Sequence, residues 1–445
     1  MAASVTPPRG MRDFLPHEKS TREHALGVIR TSFAAHGFDE IETPVMEDSA
    51  RLHSGLGGDN EKLAFAVMKR GLSEADVAAA AASGDLLSLA DLGLRFDLTV
   101  PLARFYATHR ANLPTVFRSI QIAPVWRAER PQKGRYRQFM QCDIDVIGEA
   151  SALAEIELIS ATSAALDALG LTGCSIRIND RRILSTLLGT WGIGADLTER
   201  ALITIDKLDK IGVDGVVTEL GGLGIATDGI ADTLASIGSA GWDLAASPES
   251  TPAWLDASAY ADLLALRTAL PQVELVFDPT LVRGMGYYTG TIFEISHPDL
   301  GYSLGGGGRY DGMIGRFLGT DVPACGFSIG FERIVDLLET DAAAAENAVV
   351  LLHDADADPA QLVAVKLVLV GQGKRVRLTQ RTKNLKALLA RAEADGFGSF
   401  AFVPSAPGTS EASDAASDAA SVAASVPVFD AHAVAATLEF KPLGS

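Results

Sequence analysis

Apolar positions recur along this chain at two different periods, and the switches between them mark its organisation. In HEKSTREHALGVIRTSFAAH, residues 17–36, Leu26, Ile29 and Phe33 are spaced by three and four, which predicts a helix with one buried face. Gly37 follows as its stop signal. FDEIETPVME reads as a strand, and Pro44 confines it to an edge or a bulge because proline has no N–H for a ladder. Residues 73–90 are rich in Ala and Leu and predict a helical pair. GLRFDLTVPLARF predicts a strand running into a helix whose first turn holds Pro101. Residues 116–127 and 138–148 predict two strands joined by the basic loop ERPQKGRYR. ALAEIELISATSAALDALG predicts an amphipathic helix ended by Gly170, and SIRIND a short alternating strand.

Residues 190–272 read as mostly helical with Gly/Ala-rich breaks and few chemically active side chains, which predicts an inserted domain. VELVFDP, GTIFEIS and GGGGRYDG are a run of strand and turn signals, and GFSIGFERIVDLLE passes from strand to helix. Runs of strands with helices gathered at the ends predict an antiparallel α+β core over 1–189 and 273–340. From about residue 345 the pattern alternates, with AVVLL, a helix at 358–373, RVRLTQ, a helix at 383–395, SFAFVP and a last helix at 431–438. That predicts an α/β domain over 345–445, interrupted by a low-complexity Ala/Ser/Asp loop at 405–426 that is expected to be disordered.

Composition narrows the function classes. At about 150 residues per domain, 445 residues allow two to four domains. A net charge of −18 excludes a bulk polycationic nucleic-acid coat but leaves room for a local basic patch. Cys142, Cys174 and Cys325 lie far apart with no CxxC pair, so neither a zinc site nor a disulfide framework is expected. The first residues, MAASVTPPRGMRDFLP, lack an apolar leader core, and no apolar run approaches the about 18 residues of a membrane span. A reducing cytoplasmic setting and no membrane are the expectations.

The chemistry concentrates in four places. Between residues 127 and 137 stand Arg127, Arg130, Lys133, Arg135 and Arg137 against the single acid Glu129. A solvated charge run is the ordinary reading, but strand-like flanks give this one a defined exit. Arg127 and Glu129, two apart, are expected on one strand face, where an arginine can grip a phosphate bidentately. Arg283 lies between glycines and beside Tyr287 and Tyr288, and the glycines permit close approach of a ligand to the backbone. GGGGRYDG at 305–312 reads as a glycine floor, being neither a GxGxxG dinucleotide turn nor a GxxxxGK[ST] loop. Arg333 follows Gly330 at a strand-to-helix junction, within reach of a phosphate tail, and Asp97 and Thr99 in RFDLT are expected on one strand face suited to an ammonium group.

Together these stretches resemble the three signature motifs of class II aminoacyl-tRNA synthetases, and specifically the histidyl-tRNA synthetase family. The resemblance runs from PRGMRDFLP (8–16) to GFERI (ending at 334) and more weakly through the last domain, and ERPQKGRYRQF, VRGMGYYTGTIFE and GGGRYDG carry it. It implies an antiparallel-sheet catalytic core with a helical insertion and a C-terminal anticodon-binding-like domain. It implies ATP-dependent activation of L-histidine to histidyl-adenylate, then transfer to tRNA(His). Carried over residue by residue, Arg127 would hold the α-phosphate and the histidine carboxylate, Arg283 would brace the α-phosphate from the other side, and Arg333 would meet the γ-phosphate. Glu129 and Phe139 would contact adenine. Asp97, Thr99, Gln141 and Asp145 would bind the α-amino end of histidine, and Tyr287 and Tyr288 would line the imidazole pocket. Arg130, Gln132 and Lys133 at the loop tip would face the tRNA acceptor end, with its extra 5′ guanosine. Mg²⁺ would come on the β- and γ-phosphates, with no protein-held metal site expected, and a homodimer would form through FDEIETPVMED.

Two departures from the family pattern stand out. RGMGYY has Gly286 where Asp is common, and the 405–426 loop replaces a more regular segment, although KNLKALLARAEADGF still resembles the anticodon-binding helix. Two rival readings follow from the same resemblance. One is a non-catalytic regulatory subunit of ATP phosphoribosyltransferase, which typically loses catalytic arginines and often the last domain. The other is a degenerate binding module for uncharged tRNA. Retention of Arg127, Arg283 and Arg333, a full last domain and the lack of a kinase signature argue against both.

Overall fold

The computed structural model describes residues 5–53, 63–131, 134–239, 244, 251–283, 286–338, 347–404 and 429–443. Its strands are β1 (Asp39–Glu40), β2 (Met46–Asp48), β3 (Phe65–Met68), β4 (Ala90–Leu94), β5 (Phe117–Trp126), β6 (Gln138–Ile147), β7 (Ser175–Asp180), β8 (Leu275–Phe277), β9 (Thr291–Ser296), β10 (Gly305–Arg309), β11 (Ala324–Gly330), β12 (Ala348–His353), β13 (Arg375–Gln380), β14 (Ser399–Phe402) and β15 (Lys441–Pro442). The chain divides into two compact units, Met1–Asp13 with Ala25–Leu338, and Phe14–His24 with Glu339–Ser445.

The first unit is built on an eight-stranded sheet in the order β1-β5-β6-β11-β10-β9-β7-β8. Its central pairings are antiparallel, and only the outermost pairs, β1 with β5 and β7 with β8, are parallel. The expected α+β core is therefore present. Alternation decides what each face does. Along β6, Cys142, Ile144 and Val146 enter the main hydrophobic core, together with Phe293 and Ile295 of β9 and Phe327 and Ile329 of β11. Ile29 and Phe33, predicted as one helix face, are fully buried in that core, and helices Leu153–Ala168 and Ala257–Ala269 pack there as well. The other set of alternate side chains is left for the site.

Residues 190–272 are mostly helical where described, with helices Ala195–Ile205, Leu208–Gly222, Ile230–Ser239 and Ala257–Ala269, and they belong to the first unit. In the second unit β13-β12-β14 are parallel and β15 closes the sheet antiparallel. The alternation read from sequence is present, and the two-residue strand β15, too short for any periodic signal, is added to it. The loop at 405–426 lies outside the described residues.

Two local expectations are corrected. FDEIETPVME is not one strand: β1 pairs with β5, whereas β2 pairs with β4 in a separate three-stranded sheet, β2-β4-β3. Pro44 breaks the ladder, and the carbonyls freed around it are taken by the buried Arg95, whose Nη1 donates to Thr43 O at 2.8 Å and Pro44 O at 3.2 Å. Asp97 and Thr99 do not share a strand. β4 ends at Leu94, Asp97 sits in the following turn, and Thr99 opens helix Thr99–His109. The Arg95 N–H donates to Val45 O at 3.1 Å and its C=O accepts from Trp126 N–H at 2.9 Å, so that turn is pinned between β2 and the end of β5.

Candidate active site

One strand organises the site. Because side chains alternate, Gln141, Asp143 and Asp145 of β6 all point to the face opposite Cys142, Ile144 and Val146. They border a cavity of about 910 Å³. On the neighbouring β11 the residues paired with Gln141, Asp143 and Asp145 are Gly330, Ser328 and Gly326. A Cβ at Gly326 would stand 2.0 Å from Asp145 Oδ1, so glycine is what lets this carboxyl into the sheet face. Tyr310 O–H donates to the same oxygen at 2.6 Å. Burial, opposed by that hydrogen bond, raises the Asp145 carboxyl to about 7.

The turn before helix Thr99–His109 brings a third carboxylate. Asp97 is 2% exposed, and its Oδ1 accepts from Val100 N–H at 3.3 Å. Its Oδ2 is buried and has no hydrogen-bond partner among the described residues, and neither has Gln141 Oε1. Burial raises Asp97 to about 6, held back by the Val100 N–H and by Arg127. Tyr287 packs on Tyr288, with ring centroids 4.9 Å apart, and on Tyr310 at 6.0 Å. Gly286, where the family commonly has Asp, is exposed in the turn just ahead of the pair.

The arginines reach the cavity from three directions in the sequence. β5 stops at Trp126, so Arg127 and Glu129 are loop residues rather than strand neighbours, yet both still face the cavity. Arg127 Nε donates to Phe96 O at 3.0 Å, and its guanidinium lies 5.0 Å from the Phe139 ring centroid. Glu129 stands 3.8 Å from Arg135. Arg283 Nη1 donates to Glu294 Oε2 at 2.6 Å, while its Nε is buried without a partner among the described residues. A Cβ at Gly306 would lie 2.6 Å from the Arg283 Cζ, so the glycine floor of β10 is the space in which this guanidinium rests. Glu294 is shared with Arg177 at 3.6 Å, and Arg177 also pairs with Asp278. Arg333 donates to Ser303 O and, at 3.4 Å, to Gly134 O.

Asp97, Thr99, Arg127, Glu129, Phe139, Gln141, Asp145, Arg283, Tyr287, Tyr288 and Arg333 thus border one cavity. Arg130 is exposed and does not border it. Gln132 and Lys133 lie outside the described residues. Sequence reasoning missed Asp143, Ser328, Tyr310, Arg177 and Glu294. The period-two spacing of QCDID held the signal for Asp143. Cross-strand pairing supplies Ser328, Arg177 and Glu294, and the turn after β10 supplies Tyr310, and neither leaves a local trace.

Residues 10–334 match the family model described as Histidyl-tRNA synthetase. The chain is 64% identical over 420 residues to a histidine–tRNA ligase of Leifsonia xyli subsp. xyli, covering 91% of this chain and 96% of that one. It is 43% identical over 424 residues to a probable histidine–tRNA ligase of Tropheryma whipplei, covering 90% and 96%. Among solved structures it resembles a histidyl-tRNA synthetase from Nostoc sp. PCC 7120, with a TM-score of 0.69 at 24% identity over 90% of this chain and 92% of that one. It also resembles a Bacillus halodurans protein described as an ATP phosphoribosyltransferase regulatory subunit/histidyl-tRNA synthetase, with a TM-score of 0.68 at 22% identity over 88% and 97%. At those identities the structural likenesses speak to the fold alone. The family match over residues 10–334 and the two close relatives establish that this chain belongs to the histidyl-tRNA synthetase family.

Proposed function

We propose that the chain is a histidine–tRNA ligase that uses ATP to activate L-histidine and passes the acyl group to tRNA(His). The supporting observation is the convergence, in one cavity, of Arg127, Arg283 and Arg333 with the unpartnered acceptors Asp97 Oδ2 and Gln141 Oε1. Cations and orphan acceptors in one place suit a substrate with phosphates, a carboxylate and an ammonium group. The histidine carboxylate attacks the α-phosphorus, the bond to pyrophosphate breaks, and an acyl-phosphate anhydride with AMP forms. A hydroxyl of the terminal tRNA ribose then attacks the acyl carbon and AMP leaves. Arg127 and Arg283 stabilise the charge gathering on the α-phosphate, Arg333 holds the phosphate tail, and Phe139 with Glu129 seats the adenine. Tyr287 and Tyr288 shape the imidazole pocket. Asp97, Thr99, Gln141 and Asp145 bind the amino end.

Magnesium enters this reading with the nucleotide. Among the described residues no group of three His, Cys, Asp or Glu side chains is close enough to hold a metal ion. The division into a core (1–189 with 273–340), an insertion (190–272) and a last domain (345–445) belongs to the same proposal, as do a homodimer and a cytoplasmic setting. Among the described residues no helix is long and apolar enough to cross a membrane. The regulatory-subunit reading is less well supported, because all three arginines face the cavity. Histidine-dependent exchange of pyrophosphate into ATP tests the proposal. Exchange with histidine and not with other amino acids is the expected result, and its absence from folded protein would overturn it.

A further inference from the structure

The roles carried over from the family leave Asp143 unassigned, although it stands between two residues that have one. It is 5% exposed, and its side chain is on the cavity face of β6. Gln141 Nε2 lies 3.4 Å from each Asp143 carboxylate oxygen and 3.2 Å from Ser328 Oγ. Ser328 is the direct cross-strand partner of Asp143 on β11, and its hydroxyl favours the ionised form of the Asp143 carboxyl. With Asp143 and Ser328 as partners, both amide protons of Gln141 are directed at acceptors. The amide carbonyl is left buried and, among the described residues, unpartnered, like Asp97 Oδ2, and both of these residues border the cavity. Two orphaned buried acceptors mark where a multiply donating cation belongs. Turned the other way, the same amide would present N–H groups to that cation and repel it.

We propose that Asp143 is a positioning residue: with Ser328 it fixes the Gln141 amide so that Oε1 rather than Nε2 meets the α-ammonium of the amino acid. The inference rests on the histidine reading above. Burial, followed by the charge of Asp145, pushes the Asp143 carboxyl well above its usual range, and an arriving ammonium favours the ionised, accepting form. Asp143→Asn replaces one of the two accepting oxygens by an NH2 donor, so the contact no longer selects which end of the Gln141 amide faces it.

The test is calorimetric binding of histidine and of 3-(imidazol-4-yl)propionate, which lacks only the α-amino group. In Asp143→Asn, histidine should weaken by about 10- to 100-fold, the loss of a charge-assisted hydrogen bond, while the des-amino analogue is unchanged. The same variant should raise the histidine KM and leave the ATP KM alone. On a Gln141→Ala background Asp143→Asn should add nothing, since its partner is gone. Ser328→Ala keeps the carboxylate and should shift histidine in the same direction by less, so the proposal stays testable if Asp143→Asn does not fold. Equal weakening of both ligands, or an undiminished effect on the Gln141→Ala background, would overturn it. Wild-type protein that binds no histidine would overturn the functional reading, and this proposal with it.

Discussion

Single residues in this site are defined by what they lack. Arg283 shares Glu294 with Arg177, keeps an Nε without a partner among the described residues, and occupies space that exists only because residue 306 has no side chain. A guanidinium held in this way is already organised before substrate arrives. Arg283→Ala is therefore expected to lower histidine-dependent pyrophosphate exchange by about 10²–10³ while leaving the fold intact. Exchange at the wild-type rate in a folded variant would contradict the assignment. Asp145 carries a second residue-scale expectation. Folded, it keeps its proton up to about pH 7 because it is buried, whereas an unfolded chain releases that proton near about pH 4. Between those values the folded state binds more protons, so acidification through pH 7 stabilises the ligand-free protein, by up to about 1.4 kcal/mol per pH unit for each such group. Asp97, raised to about 6, acts in the same direction over a narrower window. The thermal midpoint of ligand-free protein should rise between pH 7.5 and 5.5, and Asp145→Asn should flatten that rise. An unaltered slope in the variant would show that Asp145 is not among the groups responsible.

Elements place these residues by register. β10 threads between β9 and β11, and a Cβ at Gly307 would stand 2.0 Å from Gly326 O, so its glycines are a packing requirement as well as a floor for ligand. The β5–β6 hairpin aims the basic loop. Arg127 N–H donates to Arg137 O at 2.9 Å, and Arg137 N–H to Gly10 O at 2.8 Å, which fixes both ends of the loop whose tip carries Arg130, Gln132 and Lys133 in the sequence. We expect that tip to meet tRNA. Gln132→Ala should lower tRNA charging while sparing pyrophosphate exchange, and Arg130→Ala and Lys133→Ala should each reduce the salt dependence of tRNA binding by about one counterion. Wild-type charging rates and salt slopes in all three would refute this placement.

At the scale of the molecule, the three-stranded sheet leaves Val45, Met46, Met68 and Leu92 exposed, a concentration of apolar side chains in the region that includes the FDEIETPVMED stretch. The expected assembly is a homodimer under reducing conditions. Cys142 and Cys325 are buried and Cys174 is half-buried, so disulfides have no part in it. Sedimentation of wild-type protein should give a dimer at micromolar concentration, and Met46→Asp combined with Leu92→Asp should shift it toward monomer. A fully active wild-type monomer would sink the expectation.

Much of this was legible in the residues themselves. Alternation placed β7, strand and turn signals placed β5, β6, β9 and β11, helical spacing buried Ile29 and Phe33, and turn chemistry marked Gly37 and Gly170, because these signals arise within a few consecutive residues. The long motifs around Arg127, Arg283 and Arg333 marked the arginines. Tertiary structure decided the rest. Pro44 split one apparent strand between two sheets because the carbonyls it freed are satisfied by Arg95, 51 residues further along the chain. Asp97 reached the cavity from a turn and not from a strand. Asp143 gained its place from Ser328, and Asp145 from Gly326 and Tyr310, partners more than 160 residues away that only the β6–β11 pairing and the turn after β10 bring near. Periodicity records which way a side chain points. What waits at the end of it is set by long-range register, and a linear sequence does not spell that out.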